Sequence, residues 1–171
     1  MILEIDGGTS ESDDETGIGE LLQSCGPSEA LVVEVPDGSS FVIQSGQRFR
    51  YFELVPIEPG ECWDKESALQ NSELVLGQRV RLQYPEGCWG QDPMPAYVSV
   101  AGKNVAMSLV EIGAACVDLG EEGASMKDVS ISAYHEAQIL AKLLGKGLWG
   151  TCTDDPCEPD LSSRPPWSPA Y

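Results

Sequence analysis

A chain of 171 residues has the length of one compact domain with short appendages, and 42% hydrophobic residues are enough for one core. The net charge of -18 opposes long-range attraction to nucleic acid, whose binders gain affinity by neutralising phosphates with lysine and arginine. No apolar run is long enough to span a membrane, and Met1–Asp6 lacks the basic and apolar segments of a secretory leader, so a cytoplasmic protein without a membrane partner is expected.

Residues 1–24 carry seven acids and no lysine or arginine, and read as an acidic, flexible N-terminal arm. Strand signals follow closely. Ala30–Val35 is β-branched and apolar, Pro36-Asp37-Gly38-Ser39 supplies turn chemistry, and Ser40–Gln44 is a second strand. After the Ser45-Gly46 turn, Gln47–Ile57 reads as a longer third strand, so the three form an antiparallel meander.

Asp64–Leu76 changes period. Asp64 is the expected N-cap, Ala68, Leu69, Leu74, Val75 and Leu76 give an approximate helical stripe, and Gly77 ends it. Gln78–Tyr84 alternates, with Val80 and Leu82 on one face and Arg79 and Arg81 on the other. A Pro/Gly-rich loop (85–95) leads to a strand at Ala96–Val100, and Val105–Ile112 is a short helix stopped by Gly113. Ser130–Leu144 is the strongest helix, with Ile131, Tyr134, Leu140, Ala141 and Leu144 as its apolar positions. Residues 151–171 contain five prolines and form a tail without regular structure.

The domain proper is therefore 25–150, with 17 acids against 9 bases. The element order predicts an α+β fold, a five-stranded antiparallel OB-type β-barrel with three helices. The six cysteines show no CxxC spacing and His135 is the single histidine, a pattern without paired zinc ligands. Cys116, in an Ala-Ala-Cys-Val stretch, reads as a small buried hydrophobe. Cys152 with Cys157, or Cys62 with Cys88, are pairs that sequence allows; in a reducing compartment all stay thiols.

With Val33-Glu34-Val35-Pro36-Asp37-Gly38, Leu76-Gly77-Gln78-Arg79-Val80-Arg81-Leu82, Ala96-Tyr97-Val98-Ser99-Val100 before Gly102-Lys103, Val105-Ala106-Met107-Ser108-Leu109-Val110 before Gly113, and Glu136-Ala137 leading to Gly147-Leu148-Trp149, the chain resembles the staphylococcal-nuclease-like (thermonuclease) family over about residues 30–150. That resemblance implies a Ca²⁺-dependent phosphodiesterase: two aspartates on the metal, a glutamate acting through water, and two arginines on the phosphate. Carried over position by position, the equipment is missing. Ser39 stands for the first metal aspartate, Phe52 for the first arginine, Ile57 for the second aspartate, Gly60 for the glutamate and Pro93 for the second arginine. A shifted alignment leaves Asp37 and Glu58 as fallback metal ligands, with Arg50 and Glu61 as fallback catalytic groups. A one-residue slip in a strand would turn them to the opposite face.

The expected function is a non-catalytic SNase-like domain without a cofactor, serving as a protein-interaction or structural component. Trp63 and Trp89 in the loops, and Trp167 and Tyr171 in the tail, are its candidate partner-binding residues. Two other readings stand beside it. One is a Ca²⁺-dependent nuclease with displaced ligands. The other is a weak single-strand-binding OB module stacking bases on Trp89 and Tyr97. Arg48, Arg50, Arg79 and Arg81 are expected to pair with Glu53 and other acids on the sheet.

Overall fold

Alternation builds the sheet. Along β1 (Glu29–Glu34), Ala30 and Val32 are buried; along β2 (Ser40–Ile43), Phe41 and Ile43; along β3 (Arg48–Tyr51), Phe49 and Tyr51. Phe41 stacks on Phe49 with ring centroids 5.6 Å apart, and both are fully buried. This is the computed structural model of the chain, and it describes residues 25–86, 88, 90–118, 129–153 and 157. The expected acidic arm (1–24), the acidic loop (119–128) and most of the proline-rich tail lie outside the described residues.

The elements continue as β4 (Leu54–Val55), α1 (Asp64–Val75), β5 (Arg79–Gln83), β6 (Met94–Val100), β7 (Lys103–Asn104), α2 (Val105–Glu111), β8 (Cys116–Val117), α3 (Val129–Leu143) and the short α4 (Leu148–Thr151). The sheet runs β3-β2-β1-β5-β6-β7, and β3 also pairs with β6. That last pairing closes a five-stranded barrel, and it is parallel: Phe49 faces Met94, Arg50 faces Pro95 and Tyr51 faces Ala96. The expectation of a purely antiparallel barrel is thus corrected to a mixed one, compatible with the OB type. Each hairpin is antiparallel, but the two strands that meet at the seam arrive from different hairpins and run the same way.

The predicted third strand (47–57) is broken. Phe52 and Glu53 turn out of β3, so Leu54 and Val55 leave the barrel and pair with Val117 and Cys116 of β8. Helix α1 starts one residue past its cap: Trp63, at φ 75°, occupies the N-cap position expected of Asp64. Its buried face is Ser67, Asn71 and Val75, whereas Leu69 is 57% and Leu76 46% exposed. A helix laid against the backbone of a turn has polar groups to satisfy, so its inner face is not its most apolar one.

Helix α3 departs from its pattern in the same way. Tyr134 and Ala141 face the core as expected, but Leu140 and Leu144 are exposed; the side chain of Ile131 lies outside the described residues. Among the described residues no helix is long and apolar enough to cross a membrane.

All six cysteines are paired: Cys25–Cys88, Cys62–Cys152 and Cys116–Cys157. This corrects both sequence-allowed pairings, Cys152–Cys157 and Cys62–Cys88. It also corrects Cys116, which is buried but is a bridging half-cystine. Sequence proximity favoured the wrong partners; the fold sets Cys62 beside Cys152 across 90 residues, at 5.8 Å between Cα atoms.

Two clusters of buried side chains result. The large one fills the barrel and the face beneath α1, α2 and α3. The small one consists of Ile57, Cys116 and Leu148, with Val55, Trp63, Trp149, Cys152 and Cys157 packed around it.

Candidate functional site

The β1–β2 turn is where the resembled family begins its metal site. Here Asp37 spends its carboxylate locally. Its Oδ1 accepts from the Ser39 backbone N–H (2.8 Å) and the Ser39 hydroxyl (3.0 Å), and its Oδ2 accepts from the Ser40 hydroxyl (2.5 Å). An aspartate that caps its own turn fixes the turn's shape. Helix α1 then bolts it down: the Asn71 amide donates to the carbonyls of Asp37 (2.9 Å) and Ser40 (3.0 Å) and accepts from the Tyr51 hydroxyl (2.6 Å). Helix and turn touch so closely that a Cβ on Gly38 would run into the Ser67 hydroxyl, which itself donates to the Ala114 carbonyl. Ser39 and Ser40 are both buried in this contact.

The other positions at which the resemblance would place site residues are built into different structure. Phe52 is 39% exposed and meets Tyr97 edge-on, with centroids 5.2 Å apart. Ile57 is buried in the small cluster. Gly60 lies in a tight turn at φ 92°, its N–H donating to Asp64 (2.7 Å). Pro93 follows a cis Asp92–Pro93 bond.

The fallback groups do not assemble either. Glu61 folds back to accept the Glu58 N–H (2.8 Å), and both are exposed. Arg50 stands between the buried Phe49 and Tyr51, so it lies on the opposite face of β3 from them, and its guanidinium donates to Gln91 at 3.5 Å. Among the described residues no three His, Cys, Asp or Glu side chains are placed to hold a metal. Calcium binds six to eight hard oxygens at 2.3–2.6 Å. A self-capping aspartate beside buried serines, an isoleucine in a core and a glutamate folded onto its own loop do not fit it.

The arginine cluster is split. Arg79 and Arg81 project from β5 into an open groove of about 270 Å³ with Glu29, Ser99 and Gly102, and Arg81 reaches Glu29 at 3.4 Å. Glu53 is not their partner, contrary to expectation. It is buried, and its Oε1 accepts from the Tyr134 hydroxyl (2.9 Å). Burial pushes its carboxyl above the usual range, partly offset by its own N–H, by Tyr134 and by Asn104. Burial, then the charge of Glu53, raises the Tyr134 phenol. Sequence reading gave Glu53 a different partner and passed over Asn71; both are buried polar hubs. The one signal for Asn71 was its spacing: Ser67, Asn71 and Val75 recur every four residues along one helix face.

Of the aromatic partner-binding candidates, Trp63 packs down on the small cluster, half-buried, with no hydrogen-bond partner for its buried indole N–H. Trp89, Trp167 and Tyr171 lie outside the described residues. Compared with protein-family models and with curated proteins, the chain matches none.

Proposed function

We propose that this chain is a catalytically degenerate SNase-like barrel that works as a protein-interaction or structural component. One observation carries the reading. Each position where the resembled family grips a cation or a phosphate holds an uncharged residue with its own structural job, and the nearest acid, Asp37, is consumed by its own turn. A fold alone fixes no activity, so the reading rests on these side chains. The three disulfides support a second part of the proposal, folding in an oxidising compartment, where such bridges form and persist.

The test is direct. Single-stranded DNA and RNA incubated with the protein in millimolar Ca²⁺ should stay intact, as they do with EDTA. EDTA-sensitive cleavage that Glu61→Ala abolishes sinks the proposal. On the interaction side, a partner retained by the full chain should be lost with Trp167→Ala or Tyr171→Ala. Retention unaffected by either change removes the tail from the account.

A single-strand-binding reading keeps one observation in its favour, the pairing of exposed Phe52 with half-buried Tyr97, which offers an aromatic face to bases. The charge of -18 opposes it. Oligonucleotide binding that weakens with salt and disappears in Phe52→Ala would establish it over the first reading.

A further inference from the structure

Helix α3 is turned inside out. Its inner face is Tyr134, Ala137, Gln138 and Ala141, while four large aliphatic side chains in a row face away from the barrel. Ile139 is 46%, Leu140 55%, Leu143 78% and Leu144 60% exposed. These positions are spaced one, three and four apart, so they form one continuous strip on a helix. Together they leave in water the equivalent of more than two whole leucines. Scattered exposed leucines are ordinary, but a contiguous apolar strip marks an interaction surface.

We propose that this strip is the contact of a two-fold dimer, α3 packed antiparallel on α3 of a second copy. Charge placement selects the occupant. Glu136, exposed, stands one turn before the strip, and Lys146, also exposed, stands just beyond its other end, held by a hydrogen bond to the Glu111 carbonyl at 3.0 Å. Lys142 falls within the span of the strip and turns off it, over the Trp149 ring at 4.9 Å. An antiparallel pair centred on the strip brings Glu136 of each copy to the Lys146 end of the other. A surface with an acid at one end and a base at the other complements itself when rotated by a half-turn, and a closed two-fold contact needs that property.

The area sets the strength. One helix face is smaller than the ~800 Å² per partner of a standard interface, and two copies at -18 repel. The dimer is therefore weak and reversible. The inference does not depend on the loss of the nuclease site.

Sedimentation equilibrium of the full chain in buffer with added salt, from low micromolar to several hundred micromolar, tests it. The wild type should pass from monomer to dimer. Leu143→Glu should remain monomeric throughout with an unchanged far-ultraviolet spectrum, because that side chain contributes little to the core. Glu136→Lys should weaken association several-fold, and adding Lys146→Glu should restore it. A wild type monomeric at the highest concentration overturns the proposal, as does a dimer that survives both Leu143→Glu and Leu140→Glu. Footprinting that finds Leu140 and Leu143 protected in a monomeric sample also overturns it, since the cover is then a segment of the same chain.

Discussion

The barrel and the small cluster beside it are held together by different means. In the barrel, Val32, Phe41, Phe49, Val80 and Val98 come from five strands of one closed sheet, and each is buried by neighbours that the hydrogen-bond register fixes. In the small cluster three buried residues gather from a loop, a two-residue strand and a four-residue helix. So little apolar area cannot order that much chain against its conformational entropy. Two of the three disulfides lie there, tying Cys62 to Cys152 and Cys116 to Cys157. The third, Cys25–Cys88, belongs to the large cluster, so two cystines stand beside three buried residues in the small cluster while one serves the whole barrel core.

The deepest cut into the first region should cost most. Phe49→Ala empties the space under Phe41 and Tyr84 and should lower stability by about 3–5 kcal/mol, read from urea unfolding. A loss below about 1 kcal/mol would mean that the barrel interior is not the principal core.

Cutting the second region should cost less and act locally. Cys62→Ser with Cys152→Ser should remove about 2–4 kcal/mol. Tryptophan fluorescence, which reports Trp63 and Trp149 in that cluster, should change before far-ultraviolet dichroism does. Coincident transitions would show that both regions melt as one unit.

The smallest effect sharpens the boundary between the two. Glu53 leaves β3 where the chain exits the barrel, and its buried carboxyl titrates above its usual value. The folded state thus keeps the Glu53 proton to a higher pH than the unfolded state does. Its contribution to stability is fully present below the ordinary value near 4.5 and is lost as pH rises through the raised one. Glu53→Gln keeps an acceptor for Tyr134 and cannot ionise. The variant should match the wild type near pH 4 and exceed it in urea midpoint towards pH 8. An unchanged gap across that range would place Glu53 in contact with water.

Much of this architecture was legible in the residues. Alternation at Arg79–Gln83 and Ala30–Val32, the turn chemistry at Asp37-Gly38 and the glycine stops at Gly77 and Gly113 located the strands and helices around them to within a residue or two, but not the break after Tyr51. The uncharged residues at 39, 52, 57, 60 and 93 were likewise legible, because residue identity needs no coordinates.

Three things were decided only in three dimensions. The parallel β3–β6 seam depends on where two distant strands meet, and strand pattern carries no partner information. The disulfide pairing depends on Cα separations across up to 90 residues. Which face of α1 and α3 turns inward was set by the backbone carbonyls awaiting Asn71 and by the close fit of Tyr134 and Ala141, against the apolar period of the sequence. Local pattern reports what a segment can bury; the neighbours it meets determine what it does bury.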